Sequence, residues 1–245
     1  MKPIISVVVP AYNEEKLLAK CLSALKNQDF DKTFEVIVVD NCSTDKTPEI
    51  GKKFGFRVIY EPKKGQIFAK QRGCMEAKGD IIAVLDADNI PAKDWISVIY
   101  KELTGEVGDV VAITNTCSKD GNIPLWYKIH DKFLTRPFFK IEHKIIRSGR
   151  VTGGNAAFFR KTFLDVGGYD INNSSILETE IGLSSRLSKK GRIKHVPKMI
   201  VFTDIRVIER GIFIYFYRYY VKGLFNYFMS KFHEKPVLSD SRDFR

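Results

Sequence analysis

Short apolar runs that end in polar or acidic residues alternate with helical patterns, about one pair every 20 residues, through the first half of the chain. The apolar runs are rich in valine and isoleucine and hardly alternate, which is typical of strands buried on both faces of a parallel sheet. We predict strands at 4–10, 34–39, 57–60, 80–85 and 109–115. Helices are predicted at about 17–25, 44–54, 66–78 and 95–103, with Asn13 and Ser43 or Thr44 placed to begin the first two. This alternation predicts an α/β fold with a mostly parallel sheet flanked by helices.

Three of the predicted strands end in polar segments, which begin at Pro10, Asp40 and Asp86. Ligands bind at the carboxyl ends of the strands in an open parallel sheet, so these segments are expected to line one rim. Carboxylates gathered at one rim repel each other unless a cation lies between them. A hard divalent cation that also bridges a diphosphate would remove that repulsion. Asp40 alone could equally cap the helix that follows it.

The composition excludes several other classes of protein. The four cysteines are far apart and form no CxxC pair, so we predict reduced thiols in a cytoplasmic protein rather than structural zinc or a disulfide framework. The net charge is +11, and residues 186–245 hold 14 Lys and Arg against 5 Asp and Glu. No segment resembles a nucleic-acid-binding module, so we predict no nucleic-acid partner in spite of this charge.

Five segments carry recognisable motifs: Ser6–Glu15, Val38–Asp45, Leu85–Asp88, Gly153–Arg160 and Val166–Asp170. In this order they resemble the family-2 glycosyltransferases of GT-A fold. The resemblance implies transfer of a sugar from a nucleoside diphosphate sugar, commonly UDP-linked, to a hydroxyl acceptor with inversion at the anomeric carbon. The acceptor would be a glycan or a lipid-linked molecule. We therefore expect residues 1–117 to bind the nucleotide sugar and residues 118–205 to form the acceptor-binding and catalytic half.

The resemblance also implies roles for individual residues of the first half. Pro10, Tyr12 and Glu14 would belong to the nucleoside pocket, and Asp40 would hold the base. In the Asp86-Ala87-Asp88 triplet, Asp86 would meet the ribose or the metal. Asp88 would coordinate Mg²⁺ or Mn²⁺ on the diphosphate, where a cation neutralises the charge of the leaving group.

Inverting transfer needs a base that takes the proton of the acceptor hydroxyl. Glu180 stands where the family places this base, with Glu178 as the alternative in another register and a solvated helix face as the third interpretation. Lys70 takes the position of a family arginine. Lysine keeps the positive charge but lacks the planar, forked guanidinium group of arginine. Lys70 could also be an exposed helix lysine.

Two positions depart from the family pattern. Thr203 stands near the place of a histidine that often helps to bind metal, and threonine is a poor substitute, although the adjacent Asp204 could coordinate a hard cation. Thr179 stands where an acidic residue is expected. These departures keep open a degenerate protein that binds nucleotide sugars without turnover.

The sugar and acceptor side is predicted from glycines and aromatic residues. Gly153 and Gly154 could let the backbone approach the donor sugar or could form a turn, and Asn155 follows them. Trp126 could stack on a sugar ring or pack in the core.

Residues 206–245 are predicted to form a basic, aromatic helix and tail. Within 208–231, polar residues recur every fourth position on an otherwise apolar helix, and the uncharged stretch is too short to span a bilayer. Such a helix suits peripheral contact with the cytoplasmic face of a membrane, or packing against the rest of the protein.

Overall fold

The structure is a computed structural model that describes residues 2–105, 108–115, 118–119, 129, 133, 151, 153–171 and 176–203, and for 118–119, 176–179 and 181 it describes the backbone alone. The strands among these residues are β1 (Ile5–Ala11), β2 (Phe34–Asp40), β3 (Arg57–Tyr60), β4 (Ile81–Leu85), β5 (Asn89–Pro91), β6 (Val110–Thr114), β7 (Ser118–Lys119), β8 (Asn155–Phe159), β9 (Arg192–His195) and β10 (Val201–Thr203). The helices are α1 (Leu18–Lys26), α2 (Thr47–Lys53), α3 (Gln66–Glu76), α4 (Trp95–Thr104), α5 (Arg160–Asp165) and α6 (Ile176–Ser188).

Seven strands form the central sheet in the order β3-β2-β1-β4-β8-β6-β9. The first four strands along the chain are parallel neighbours, which confirms the predicted α/β fold. The strand β8 lies antiparallel between β4 and β6, and β9 returns parallel to β6. A small second sheet has the order β5-β10-β7, and its strand β5 follows the Asp86-Ala87-Asp88 triplet directly.

Helices cover both faces of the central sheet because successive residues of its strands point to opposite sides. Val7 and Val9 of β1 pack with α1 and α4, whereas Val8 packs with α3 and α6. All three valines are fully buried. The runs without polar alternation therefore mark strands enclosed on both faces, as predicted.

The first helix lies within one residue of its predicted range, but Asn13 does not cap it, and neither Ser43 nor Thr44 begins the second helix. Asn13 has a left-handed backbone with φ of 51°, and α1 begins only at Leu18. The helix α2 begins at Thr47, whose amide donates a 3.0 Å hydrogen bond to the Asp45 carboxylate. The polar residues between strand and helix bond to each other instead of starting a helix at once.

Several predictions lie outside the described residues, namely Trp126, Asp204 and the C-terminal helix at 208–231. The assignment of 1–117 and 118–205 to two functional halves stays a prediction. Within the residues that the structure does describe, no helix combines the length and the apolar composition that crossing a bilayer requires.

Candidate active site

The polar ends of β1, β2 and β4 meet at one edge of the sheet. Ala11 pairs with Asp40 at the last position of the β1–β2 ladder, and Val8 pairs with Val84 one residue before β4 ends. The segments after these strands therefore share a rim, as their parallel arrangement predicted. Tyr12 is partly exposed at this rim, whereas Pro10 is buried in β1.

The segments that follow β1 and β2 are locked together by hydrogen bonds. The Asn13 amide donates to Ser43 Oγ at 3.1 Å, and the Thr44 amide donates to Asn13 Oδ1 at 2.8 Å. The amide of Glu14, a residue only 4% exposed, donates to Thr47 Oγ1 at 2.8 Å. These bonds fix the shape of the rim beside Asp40.

Asp40 is 5% exposed and accepts a 3.2 Å hydrogen bond from the Ser43 amide. The bond closes the turn after β2, and α2 begins only at Thr47, so Asp40 does not cap that helix. The backbone of Asp40 lies at the rim between Ala11 and the loop after β3, since the Asp40 carbonyl accepts from the Glu61 amide at 2.9 Å.

Asn41, which the sequence did not single out as a site residue, shapes the loop after β3. Its buried side-chain amide donates to the carbonyls of Glu61 at 3.0 Å and Lys63 at 2.8 Å. Its Oδ1 accepts from the Gly65 amide at 2.7 Å. The loop held in this way carries Lys64, whose ammonium lies 4.6 Å from the centre of the Tyr12 ring. An asparagine directly after the acidic end of a strand was the available signal.

A buried cluster of charges joins α3, the end of β4 and α6. The Lys70 ammonium lies 3.6 Å from Asp86 Oδ1 and 3.9 Å from Glu180 Oε1. Lys70 is 3% exposed, so its interpretation as an exposed helix lysine is wrong. Glu180 is 12% exposed, which likewise contradicts a solvated helix face. The side chain of Glu178 lies outside the described residues.

Gln66, on the first turn of α3, donates to Asp86 Oδ1 at 2.8 Å. Lys70 lies four residues further along the same helix, so one face of α3 presents both groups to this carboxylate. Both groups contact Oδ1, and Asp86 is still 28% exposed. Gln66 is a second site residue that the sequence motifs did not indicate.

Gly153 and Gly154 press their backbone against this cluster. A Cβ atom on Gly153 would overlap both the Glu180 carboxylate and the Lys70 ammonium. A Cβ on Gly154 would lie 2.7 Å from Asp86 Oδ2. The Gly154 carbonyl accepts from Asn89 Nδ2 at 2.9 Å, which ties the glycines to β5. The absence of side chains here is what allows the backbone to approach the charges closely.

Asn155 has a different environment from the predicted one. Its side chain is fully buried, accepts from the Trp95 indole at 2.9 Å and donates to the Met199 carbonyl at 2.9 Å. In this conformation it joins the core around α4 to the segment before β10 rather than facing a sugar. It supports the site by anchoring the strand that follows Gly154.

The acidic triplet fits a cation that shares its coordination with a ligand. Among the described residues, no three His, Cys, Asp or Glu side chains lie close enough to hold a metal by themselves. Asp86 and Asp88 are both partly exposed, and Ala87 between them is buried. Mg²⁺ is commonly held by one or two carboxylates together with phosphate oxygens, which is the donor set available here. Thr203 pairs with Asn89, so β10 ends beside this triplet.

Cys21 lies behind the triplet and is fully buried. Burial raises the pKa of its thiol, and the negative charges of Asp88 and Asp86 raise it further. The thiol therefore stays protonated, and it is neither a nucleophile nor a metal ligand in this state.

Comparison with known families decides the assignment. The family described as Glycosyl transferase family 2 matches residues 6–167, which is more than half of the chain. The chain belongs to glycosyl transferase family 2. This result confirms the resemblance seen in the five motifs.

One relative of this family 2 glycosyl transferase is the dolichyl N-acetyl-alpha-D-glucosaminyl phosphate 3-beta-D-2,3-diacetamido-2,3-dideoxy-beta-D-glucuronosyltransferase of Methanococcus voltae. It is 35% identical over 100 residues, covering 38% of this chain and 31% of the relative. The chain spans less than half the length of the curated relatives that it matches first.

Two solved structures share the fold. The mannosyltransferase PcManGT from Pyrobaculum calidifontis, in complex with GDP-Man and Mn²⁺, has a TM-score of 0.69 at 23% identity, covering 95% of this chain and 65% of that one. Residues 1–349 of TarS from S. aureus, in complex with UDP-GlcNAc, have a TM-score of 0.63 at 21% identity, covering 84% and 59%. The predicted GT-A architecture is therefore confirmed.

Proposed function

We propose that this family 2 glycosyl transferase moves a sugar from a nucleoside diphosphate sugar to a hydroxyl of a glycan or lipid-linked acceptor, with inversion. The observation that supports this most directly is the buried cluster of Lys70, Asp86 and Glu180 at the carboxyl edge of the sheet. It brings a carboxylate suited to proton transfer next to a cation and an acidic triplet suited to a diphosphate.

The nucleoside would lie over the rim made by the ends of β1 and β2. Pro10 and Glu14 would form the buried side of its pocket, Tyr12 the exposed side, and Asp40 would accept from the base. The hydrogen bonds that fix these segments support such a pocket because a rigid rim loses little entropy on binding. PcManGT binds GDP-Man and TarS binds UDP-GlcNAc, so both nucleotides are candidates here.

The diphosphate would lie over Asp86, Ala87 and Asp88. Asp88, and Asp86 on its exposed side, would hold Mg²⁺ or Mn²⁺ together with the phosphate oxygens, and PcManGT contains Mn²⁺. Such a cation neutralises the charge that grows on the departing diphosphate. Lys70 would add a second positive charge, since its ammonium is already held 3.6 Å from Asp86.

Glu180 would act as the general base. The acceptor oxygen forms a bond to the anomeric carbon while the bond from that carbon to the diphosphate oxygen breaks, and the hydroxyl proton passes to the Glu180 carboxylate. Gly153 and Gly154 would leave room for the donor sugar because a side chain at either position would enter the cluster. Glu178 remains the alternative base.

The acceptor side rests on the sequence alone. Trp126 would stack on the acceptor, and the helix at 208–231 would hold the protein against the cytoplasmic face of a membrane. A lipid-linked acceptor supports that location, and the relative from Methanococcus voltae is named for a dolichyl phosphate substrate.

Thermal unfolding with GDP-mannose or UDP-N-acetylglucosamine, each with and without Mn²⁺, tests the donor site. A donor at 100 times its Kd stabilises the folded state by about 2.7 kcal/mol, which for this size of chain raises Tm by roughly 5 °C or more. We expect that shift to require Mn²⁺, to be lost in Asp88→Asn and to be kept in the exposed control Asp31→Asn. Absence of any shift with both donors would contradict the proposal. A shift without nucleotide release across glycan and lipid-phosphate acceptors would instead favour the degenerate protein.

A further inference from the structure

The loop between β3 and α3 is held against the end of β2 by one buried side chain. That side chain belongs to Asn41, a residue only 3% exposed. Its amide donates to the carbonyls of Glu61 and Lys63, and its Oδ1 accepts from the Gly65 amide. The Glu61 amide in turn donates to the carbonyl of Asp40. The backbone of this loop therefore has a fixed position at the rim.

The loop directs two adjacent lysines to different places. Lys63 and Lys64 are both exposed, yet their ammonium groups lie over different aromatic rings. The Lys63 ammonium lies 4.0 Å from the centre of the Phe68 ring, and both residues line a groove along α3. The Lys64 ammonium lies 4.6 Å from the centre of the ring of Tyr12, which directly follows β1. Of this pair, Lys64 faces the rim and Lys63 faces α3.

A phosphate bound at the rim would compete well with the Tyr12 ring for the Lys64 ammonium. The attraction between an ammonium and an aromatic ring is weak at an exposed site. A hydrogen bond from an ammonium to a phosphate joins two charged groups and is about twice as strong as one between neutral groups. The ends of β2 and β4 also bring the carboxylates of Asp40 and Asp86 to this edge of the sheet, so a diphosphate that binds here needs additional positive charge.

We infer that Lys64 is a donor-binding residue whose ammonium bonds to a phosphate of the nucleoside diphosphate, and that Asn41 positions it by fixing the loop. This inference rests on the proposed function, in which the nucleoside lies against Tyr12. A nucleoside on that ring occupies the place where the ammonium now lies. Because a single ribose joins the base to the phosphates, the long lysine side chain then has a phosphate within reach.

Titration calorimetry with GDP and with UDP, each with Mn²⁺, provides the first test. Lys64→Met is compared with Lys63→Met, which removes the same charge from the same loop and keeps the carbonyl that Asn41 binds. For whichever nucleotide binds the wild type, we expect Kd to rise about tenfold in Lys64→Met and to stay within about twofold in Lys63→Met. An unchanged Kd in Lys64→Met, or an equal rise in both variants, would overturn the inference.

Two further measurements separate a charge contact from packing. Lys64→Arg keeps the positive charge, so its Kd should stay within about threefold of the wild type. Raising NaCl from about 0.05 M to about 0.5 M screens exposed charges, so it should reduce the difference in Kd between the wild type and Lys64→Met. A difference that persists at high salt, or a Lys64→Arg variant that binds as weakly as Lys64→Met, would overturn the phosphate contact.

Turnover tests the same role of Lys64 with GDP-mannose or UDP-N-acetylglucosamine, whichever the wild type cleaves with Mn²⁺. A contact that is equally strong in the ground state and the transition state changes binding alone. We therefore expect Lys64→Met to raise the donor KM about tenfold at unchanged kcat. A fall in kcat at unchanged KM would overturn the inference, because it would place Lys64 in the chemical step.

A double-mutant cycle tests whether Asn41 acts through Lys64. Asn41→Ala should raise the nucleotide Kd about tenfold in the wild-type background and by no more than about twofold in the Lys64→Met background. Equal effects in the two backgrounds would overturn the role of Asn41. If Asn41→Ala does not fold, Asn41→Ser replaces it in the cycle. A wild type that binds neither nucleotide would contradict the proposed function together with this inference, whereas a wild type that binds a nucleotide no better than Lys64→Met does would overturn the inference alone.

Discussion

The Lys70 ammonium lies 3.9 Å from Glu180 Oε1, although the two residues belong to different helices, α3 and α6, on the same face of the sheet. Lys70 is almost fully buried and also faces Asp86. A buried lysine disfavours its own charge unless carboxylates compensate for the lost water. The two carboxylates and the lysine therefore depend on one another, and each should be sensitive to removal of the others.

Lys70→Met should destabilise the protein because it removes a buried ammonium that lies within 4 Å of the Asp86 and Glu180 carboxylates. We expect a loss of about 3 kcal/mol in the free energy of unfolding, measured by urea denaturation. Arg72→Met is the control on the same helix, since Arg72 is half-exposed and pairs with Glu76 at 3.2 Å near the surface. It should cost less than about 0.5 kcal/mol. If both variants lost the same free energy of unfolding, Lys70 would contribute no more to stability than an exposed ion pair.

The first half of the fold could be predicted because its signals are local. Runs such as Val7–Val9 and Val36–Val39 are enclosed on both faces, and their composition alone indicates this. The meeting of Ala11 with Asp40 then follows from parallel pairing of neighbouring strands. That Asn13 and Ser43 do not begin helices could not be predicted, because their side chains bond across two loops that are distant in sequence.

The position of β8 and the charged cluster could not be predicted for a similar reason. The residues that follow Asn155 are apolar, but nothing local to them specifies a strand that pairs antiparallel with both β4 and β6. That pairing places Gly153 and Gly154 against Lys70 and Glu180. The resemblance supplied those residues as candidates, whereas their proximity is a property of the tertiary structure.

Gly73 should tolerate no larger residue because it lets α3 rest directly on the sheet. A Cβ at this position would overlap Val8 and lie 2.8 Å from Val39 Cγ2. We expect Gly73→Ala to destabilise the protein by about 1–3 kcal/mol, the usual cost of overpacking, or roughly 2–10 °C in Tm. Differential scanning calorimetry would measure this. Gly108→Ala is the matched control, since a Cβ there meets nothing within 4 Å, and its Tm should stay close to that of the wild type.

Asp45 should make the folded state sensitive to acid. Burial acts to raise the pKa of this carboxyl, but hydrogen bonds from the Thr47 hydroxyl and from the Thr47 and Glu15 amides outweigh it, so the pKa is lowered. Because the pKa of Asp45 is lower in the folded state than in the unfolded state, ionised Asp45 stabilises the fold at pH values above its unfolded-state pKa of about 4. This stabilisation is lost as the pH falls through the folded-state pKa. Asp45→Asn should therefore flatten the dependence of unfolding free energy on pH below about 4. Urea denaturation of both proteins at several acidic pH values would measure this dependence. If the unfolding free energy changed equally with pH in the two proteins, the hydrogen bonds to Asp45 would not stabilise its charge.

Gly153 should be essential for turnover more than for folding. A Cβ at this position would displace the Glu180 carboxylate, the Lys70 ammonium or the backbone itself. Because misplacement of a reacting group by about 1 Å can lower the rate about 100-fold, we expect Gly153→Ala to reduce kcat by that order. Nucleotide release with Mn²⁺ present would measure it, with circular dichroism to confirm that the fold is retained. The neighbouring Gly154→Ala should act mainly through Asp86, which its Cβ would approach at 2.7 Å, and should therefore weaken binding of the donor and the metal more than kcat. Wild-type kcat in Gly153→Ala would contradict this prediction and would show that close packing of residue 153 against Lys70 and Glu180 is not needed for the reaction.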